Sequence, residues 1–148
     1  MRRALADGFE IDDDPRRVDA EAVHAFISEE SYWGRGRSRE LTQAAIAGSA
    51  RVLGLYRDGQ LVGFARAVTD GVTVGYLADV YVLPAHRGRG LGLELVREMV
   101  QGGCGSRVRW LLHTADASGL YARLGFGQGP PPYPLMERPA AASRPPSQ

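Results

Sequence analysis

The sequence has little cysteine, no long apolar run and no excess of charge of one sign. Its 148 residues include one cysteine, Cys104, which excludes an internal disulfide and a zinc site made of several thiolates. No stretch reaches the roughly 20 apolar residues that cross a bilayer, and the first residues lack the apolar segment of a signal peptide. We therefore expect a cytoplasmic protein with neither a membrane partner nor a metal site.

The charges of the chain nearly balance. There are 18 Lys+Arg and 17 Asp+Glu residues, and the formal net charge is +1, which gives no electrostatic reason to expect nucleic acid as a partner. Apolar residues make up 44% and charged residues 24%, a composition typical of a globular protein. The length fits a single domain, which we expect over residues 1–137, followed by a disordered Pro/Ala/Ser tail over residues 138–148.

Hydrophobic spacing predicts two helices in the first third of the chain. The first, over residues 18–30, begins at a capping Asp19 and has apolar side chains at helical spacing: Val23, Phe26 and Ile27. The second begins at a capping Ser38, ends near residue 47 and has its apolar stripe at Leu41, Ala45 and Ile46.

From residue 50 onward the pattern is that of a sheet. Apolar stretches on either side of Asp58-Gly59 indicate a β-hairpin, because these two residues tolerate the positive φ of a tight turn. The strand GYLADVYVLP follows and ends at Pro84. Next comes a helix that begins at Leu91 and has its apolar stripe at Leu91, Leu95 and Met99. The apolar strand RWLLHT and a short helix that ends at Gly125 complete a mixed α/β pattern, which by its order alone suits several folds.

Glycines cluster in the segment RGRGLG, residues 87–92, between a predicted strand and a predicted helix. Glycine lets backbone N–H groups approach an anion, and the helix start adds unpaired donors. The segment therefore suits a di- or triphosphate-like anion, or equally a turn with two solvated arginines. A dinucleotide fingerprint is excluded because Leu93 stands where the third glycine belongs, and a P-loop because no lysine follows the glycines.

Two motifs carry a family resemblance. The segment Arg87–Gly92 has the form R-x-x-G-x-G and follows Val82-Leu83-Pro84. Downstream, residues 114–126 read T-x-x-A-x-x-L-Y-x-x-x-G-F. In these motifs, their order and their spacing, the sequence resembles the GNAT superfamily of N-acetyltransferases over roughly residues 9–137. The resemblance implies an α/β (α+β) fold with a mixed, mostly antiparallel central sheet flanked by helices.

The resemblance also implies acetyl-CoA as cosubstrate and direct attack by a primary amine of a small molecule or peptide. The backbone of Val80, Tyr81 and Val82 would hydrogen-bond the pantetheine arm, and a backbone N–H near Val82 would form the oxyanion hole. The pyrophosphate would lie against Arg87, Gly88, Arg89, Gly90, Leu91, Gly92 and Leu93. Thr114 stands where many relatives have Asn and would bind the pantetheine with one hydroxyl. Asp116 would share that duty or, as the safer interpretation, cap the short helix.

Tyr121 occupies the family's position for the general acid. Its phenol would protonate the leaving CoA thiolate, which is of similar basicity. The alternative is a tyrosine that only packs in the core. An acyl-CoA-binding sensor or interaction module without catalysis is the alternative function, and an acid beside the thioester favours the enzyme.

A proton acceptor for the amine is harder to assign. Asp79 lies in an apolar strand, where burial would raise its pKa and suit it to act as a base, or it is a structural acid paired with Arg66. Regular alternation places Leu77, Asp79 and Tyr81 on one face and Ala78, Val80 and Val82 on the other. A bulge, common in the family, would shift that register. His113 is the second candidate base, against the alternative of a buried core histidine.

The acceptor site is expected in the loop between the first two helices. Tyr32 and Trp33 would stack on or enclose an amine, because aromatic faces attract cations. Glu29-Glu30 would attract a cationic acceptor, whereas Arg35 or Arg37 would bind a carboxylate or a CoA phosphate, so the charge of the acceptor stays open. No residue decides between a monomer and a homodimer.

Overall fold

The computed structural model describes residues 1–127 and 135–141. Within these residues, the strands are β1 (Arg2–Ala4), β2 (Phe9–Asp12), β3 (Arg51–Arg57), β4 (Gln60–Thr69), β5 (Val74–Val82) and β6 (Arg109–Leu111). The α-helices are α1 (Ala20–Glu29), α2 (Arg39–Ala47), α3 (Leu91–Gln101) and α4 (Ser118–Ala122). Of the predicted tail, residues 138–141 are exposed and residues 142–148 lie outside the described part.

The strands form one sheet in the order β1-β2-β3-β4-β5-β6. Neighbouring strands are antiparallel except β5 and β6, which are parallel and are joined by the crossover through α3. The predicted mixed, mostly antiparallel sheet flanked by helices is therefore confirmed. The predicted hairpin is also confirmed, because Asp58 and Gly59 have φ values of 51° and 76°.

The helices begin where their capping residues predict. Asp19 accepts a hydrogen bond from the Ala22 backbone N at 3.1 Å, and Ser38 accepts one from the Leu41 backbone N at 3.1 Å. These bonds satisfy N–H groups that a helix start would otherwise leave unpaired. Both predicted N-terminal caps are confirmed.

Apolar side chains fill both faces of the sheet. On one face α3 buries its predicted stripe of Leu91, Leu95 and Met99, and on the other α1 buries Val23, Phe26 and Ile27. The predicted stripe of α2 is wrong at Leu41, which is 58% exposed. Because α2 packs against α1, its buried residue is Thr42 instead.

Strand β6 is shorter than the predicted strand RWLLHT. It pairs with β5 only between Val74–Tyr76 and Arg109–Leu111, after which the two strands part. A β-bulge bends β5 just beyond this point, and bulges are known to end pairing in this way. The residues that follow Leu111 therefore leave the sheet and open a gap beside β5.

The bulge lies at Asp79 in β5. Its register is given by two pairs, Phe64 with Tyr81 and Arg66 with Ala78. Two residues of β5 therefore oppose one residue of β4, and Asp79 takes the left-handed φ of 52°. A non-glycine residue at positive φ is uncommon, although Asp tolerates it better than most.

The bulge changes which side chains share a face. Leu77 and Val80 pack with the core cluster beneath α3, whereas Tyr81 packs with the cluster beneath α1. Asp79 points to the α1 side, where it meets the side chain of Arg66. The alternative of a bulge is therefore confirmed, and the face that regular alternation predicts for Leu77, Asp79 and Tyr81 is wrong, because one extra residue shifts the alternation of every side chain beyond it.

Candidate active site

A cleft of about 720 Å³ lies where β5 and β6 part. It is lined by the end of β5, the start of α3, one side of α4 and the loop between α1 and α2. The lining residues that matter below are Ser31, Tyr32, Trp33, Val80, Tyr81, Val82, Arg87, Gly88, Gly90, Leu91, Gly92, Leu93, Asp116, Leu120 and Tyr121. The structure thus brings together nearly all of the residues that the two motifs assign to a cofactor site.

The start of α3 presents free backbone donors to this cleft. Gly88 and Gly90 have φ values of 79° and 75°, which glycine adopts without steric cost. Gly90 is the N-cap and makes no side-chain capping bond, so the first amides of the helix stay available. A Cβ on Gly92 would lie 3.3 Å from Leu120 Cδ1 across the cleft. These uncapped amides and the open space in front of them fit a diphosphate.

The two arginines of the glycine loop have different positions. Arg87 lines the cleft, and its Nε donates to the Val82 carbonyl at 2.8 Å, which ties the loop to the end of β5. Arg89 points elsewhere: its Nη1 lies 4.0 Å from Asp7 Oδ2, and its guanidinium lies 5.9 Å from the centre of the Phe9 ring. The side chain of Arg89 is therefore not part of the cleft wall.

The end of β5 offers one free backbone edge. Tyr81 and Val82 pair with β4 on one side, but on the other side of Val80–Val82 the strand β6 has already left the ladder. An extended ligand can pair with such an edge as an added strand does. The side chain of Tyr81 faces away from this edge and stacks on Phe26 with ring centres 4.0 Å apart.

Tyr121 on α4 lines the cleft, half-buried, with its ring edge against Phe126 at 5.7 Å between centres. Burial raises the pKa of its phenol to about 12, and Tyr32 and the Asp116 carboxylate add to the rise. The phenol therefore keeps its proton at neutral pH and can only donate. Tyr121 therefore packs against the core and also lines the cleft.

Thr114 has a local structural bond. Its Oγ1 accepts from the Ala117 backbone N at 3.0 Å just before α4, and the residue is not part of the cleft wall. The expected cap at Asp116 is wrong, because the N-cap residue of α4 is Ala117 and no side chain caps the helix, while Asp116 lines the cleft.

Asp79 is a paired acid. Its Oδ2 accepts from Arg37 Nη1 and from Arg66 Nε, each at 2.7 Å, and its Oδ1 accepts from Trp33 Nε1 at 2.8 Å. Burial works to raise the pKa of this carboxyl, but the hydrogen bonds and charges of the two arginines outweigh it, and the pKa is lowered. The expected raised pKa is wrong, and the alternative of a pair with Arg66 is confirmed. The contact with Arg37 had no signal in the sequence.

The loop between the first two helices lies over the cleft. Tyr32 and Trp33 both line it, and their rings meet edge to face at 5.0 Å. The hydroxyl of Tyr32 accepts from the Ala115 backbone N at 2.8 Å, while Trp33 is bound to Asp79. The loop therefore spans the gap between β5 and the segment that follows β6.

His113 is exposed, so the alternative of a buried core histidine is wrong. Its Nδ1 lies 2.6 Å from the hydroxyl of Tyr76 on β5. Tyr76 pairs with Val68 of β4 two positions from the Arg66 pair, so it lies on the same face of the sheet as Arg66. His113 thus lies at the gap between the strands, on the side of the loop between α1 and α2.

Sequence reasoning missed one further residue of the cleft wall. His86 precedes the glycine loop directly, lines the cleft and meets the Phe9 ring edge-on at 5.5 Å. Its buried Nδ1 has no hydrogen-bond partner among the described residues. Its position directly before a motif was the available signal.

The described residues contain neither a candidate metal site nor a candidate membrane-spanning helix. In residues 1–127 and 135–141, no group of three or more His, Cys, Asp or Glu side chains could hold a metal ion. Across the same residues, no helix is long and apolar enough to cross a membrane.

Comparisons with known proteins agree with this geometry. The model of the acetyltransferase (GNAT) family matches residues 20–126. A candidate acetyltransferase from Gibberella zeae is 33% identical over 134 residues, 74% of this chain and 73% of that protein. The mycothiol acetyltransferase of Nocardia farcinica is 40% identical over 80 residues, which are 53% of this chain but 26% of that protein.

A solved structure is similar over nearly the whole chain. The crystal structure of a candidate GNAT-family acetyltransferase from Xanthomonas campestris pv. campestris superposes with a TM-score of 0.82 and 37% identity, and the match covers 91% of this chain and 95% of that one. Fold, cleft and sequence therefore lead to one conclusion: the chain belongs to the GNAT family of acetyltransferases.

Proposed function

We propose that this protein is an N-acetyltransferase that moves the acetyl group of acetyl-CoA to a primary amine of a small molecule or peptide. One observation carries the proposal: a single cleft has an uncapped helix start at one wall and a protonated phenol, that of Tyr121, at another. The first suits a diphosphate and the second suits a leaving thiolate. Acetyl-CoA contains both a diphosphate and a thioester.

The chain would hold the cosubstrate mainly through its backbone. The amides of Leu91, Gly92 and Leu93 would bind the diphosphate, because α3 leaves them uncapped. The free edge of Val80–Val82 would pair with the amides of the pantetheine arm. A backbone N–H near Val82 would donate to the acyl oxygen as negative charge develops on it. Bound acetyl-CoA supplies an activated acyl carbon that an amine can attack directly.

Two proton transfers complete the reaction. As the amine nitrogen bonds to the acyl carbon and the carbon–sulfur bond breaks, Tyr121 would donate its proton to the sulfur. Asp79 is a poor proton acceptor, because three donors already bind it and its pKa is lowered. We therefore assign the proton of the attacking amine to His113, which lies outside the cleft wall and would receive the proton through a water. When its Nδ1–H donates to Tyr76, its Nε2 lone pair is free to accept.

The experiment combines binding with turnover. We expect acetyl-CoA and CoA, but not ATP, to raise the melting temperature, and thiol release to follow when amines are added. Because the chain contains no lysine, any acetyl-lysine found by mass spectrometry after reaction with a peptide comes from that peptide. Stabilisation by CoA compounds without thiol release across a broad amine panel would overturn the proposal in favour of a non-catalytic acyl-CoA sensor.

A further inference from the structure

Three side chains converge on one buried carboxylate at the edge of the cleft. Asp79 is 7% exposed, and both of its oxygens are used, Oδ1 by Trp33 and Oδ2 by Arg37 and Arg66. All three bonds are between 2.7 and 2.8 Å, and two of them join opposite charges. A carboxylate with these partners has a structural role and is poorly suited to act as a general base.

The donors come from two separate parts of the fold. Arg66 belongs to β4, the strand next to Asp79, so its bond stays within the sheet. Trp33 and Arg37 belong to the loop of residues 31–37, which we call the aromatic loop, and they lie 46 and 42 positions away from Asp79 in the chain. Asp79 is therefore the point at which the sheet holds the aromatic loop.

The β-bulge makes these contacts possible. With regular alternation, the side chain of Asp79 would point to the apolar core beneath α3, where no cation pairs with it. The extra residue turns it to the opposite face, at the cost of a positive φ for a non-glycine residue. The bulge and the three hydrogen bonds therefore depend on one another.

The other contacts of the aromatic loop join it to α1 and to the segment after β6, and the Trp33 ring also lies against Phe26 of α1 with ring centres 6.4 Å apart. Ser31 Oγ donates to the Ile27 carbonyl at 2.6 Å and accepts from the Gly34 backbone N at 3.0 Å, which joins the base of the loop to α1. At the far side, Tyr32 is half-exposed and makes one hydrogen bond, to the Ala115 backbone N. The buried contact of the loop with the sheet is the one at Asp79.

We propose that Asp79 is the positioning residue of the acceptor site: it holds the aromatic loop so that Trp33 and Tyr32 form the wall at which the amine binds. The kinetic part of this inference rests on the proposed N-acetyltransferase function, while the structural part does not. Loss of the carboxylate would leave Arg37 and Arg66 as two unpaired, half-buried cations that repel each other. The loop would then move away from the sheet, because Arg37 lies on the loop and Arg66 does not.

The structural test uses fluorescence. The chain has two tryptophans, and Trp110 lies outside the cleft, so Trp110→Phe makes Trp33 the reporter of the loop. In that background we expect Asp79→Asn to shift Trp33 emission to longer wavelength and to raise its quenching by acrylamide about twofold, since the indole is 40% exposed while it is held and meets more water once it is released. Arg66→Gln is the matched control, because it removes a partner of Asp79 on the sheet and leaves both loop contacts; it should leave the quenching unchanged.

The kinetic test separates positioning from catalysis. We expect Asp79→Asn to raise the KM of the amine by about tenfold or more, with the KM of acetyl-CoA and the shape of the pH profile unchanged. Trp33→Phe keeps an aromatic side chain but removes the donated N–H together with the five-membered ring of the indole, and it leaves the carboxylate of Asp79 paired with both arginines, so it should raise the same KM by a smaller factor. If Asp79→Asn does not fold, Trp33→Phe and Arg37→Gln give the same reading with the carboxylate intact.

Two results would overturn the inference. One is unchanged Trp33 quenching in Asp79→Asn, which would mean that the loop is held elsewhere. The other is a collapse of kcat with an altered pH profile and an unchanged KM for the amine, which would make Asp79 the base. If quenching responds but no amine is ever acetylated, the positioning role stands and the proposed function fails.

Discussion

The two walls of the cleft are built in different ways. The wall at the start of α3 consists of backbone amides, which glycines within a six-residue segment leave open. The wall at the aromatic loop consists of side chains, held in place by Asp79 across more than 40 positions of the chain. The first wall suits the diphosphate of the cosubstrate that the family shares. The binding properties of the second wall depend on which side chain stands at each position.

This difference separates the expected effects of substitutions. A change at the backbone wall should alter affinity for the cosubstrate whatever the amine, because it acts on the anion site alone. A change at the side-chain wall should alter use of the amine and leave the affinity for the cosubstrate intact. The variants below test that separation.

The largest effect is expected at the buried carboxylate. Removing one partner of a buried ion pair typically costs about 3–5 kcal/mol, and we expect Asp79→Asn to lower the free energy of unfolding by about 3 kcal/mol at pH 7. Because the pKa of Asp79 is lowered in the folded state, its stabilisation is present above the unfolded-state pKa and is lost as the pH falls through the folded-state value. The gap between the wild type and the variant should therefore narrow below about pH 4.

Urea unfolding at about pH 7, 4 and 3 measures this gap. The control is Glu21→Gln, which removes an exposed ion pair with Arg39 in which both side chains are more than half exposed. Exposed pairs contribute little, so this variant should unfold nearly as the wild type does. A gap for Asp79→Asn that stays constant down to acid pH would contradict a stabilising charged carboxylate.

The next largest effect is expected at Tyr121. Tyr121→Phe removes the donated proton and should lower kcat by about 100-fold, within the usual contribution of a general acid, while the Kd of acetyl-CoA stays within about twofold. The matched control is Tyr56→Phe, since Tyr56 also has a pKa raised to about 12 by burial but does not line the cleft. Full activity of the Tyr121 variant would remove this residue from the reaction.

The pH dependence of the wild type adds a check on the same residue. Because burial raises the pKa of Tyr121 to about 12, the phenol stays protonated through the whole range in which the protein can be assayed. Between pH 8 and pH 10 the activity of Tyr121→Phe should therefore depend on pH in the same way as the activity of the wild type. An alkaline fall that disappears in the variant would show that the phenol loses its proton earlier than its burial implies.

The smallest effect is expected at the exposed end of the aromatic loop. Tyr32→Phe removes the acceptor of one hydrogen bond from the Ala115 backbone N, and water can replace it because Tyr32 is 50% exposed. We expect a rise of two- to threefold or so in the KM of the amine and no change in melting temperature. An effect larger than that of Trp33→Phe would mean that the loop is held at Tyr32 rather than at Asp79.

Local features of the fold could be predicted from the sequence. The capping residues Asp19 and Ser38, the Asp58-Gly59 turn and the stripe of α3 all act through neighbours within a few positions, and each is confirmed. The geometry of the glycine loop could be predicted for the same reason, because it depends on residues that are consecutive in the sequence. Features that depend only on residues close in sequence can be predicted from the sequence.

The features that could not be predicted depend on residues that are distant in the sequence. Leu41 is apolar at helical spacing, but α2 packs on α1 and leaves it exposed. The bulge at Asp79 arises from pairing with β4 and from side chains of the aromatic loop. No periodicity in YLADVYV signals the bulge, so the residues of this strand alone leave two alternatives open: regular alternation or a bulge, and a raised pKa for Asp79 or a pair with Arg66.

The affinity of Gly92→Glu for acetyl-CoA, measured by isothermal titration calorimetry, tests the wall of backbone amides at the start of α3. The new carboxylate would stand at the uncapped start of α3, where a Cβ already meets Leu120, and would repel the diphosphate. Gln101→Glu adds the same charge at the other end of the helix and serves as the control. We predict that Gly92→Glu weakens acetyl-CoA binding by about 100-fold or more with the control unchanged; equal affinities for wild type and Gly92→Glu would contradict a diphosphate site at these amides.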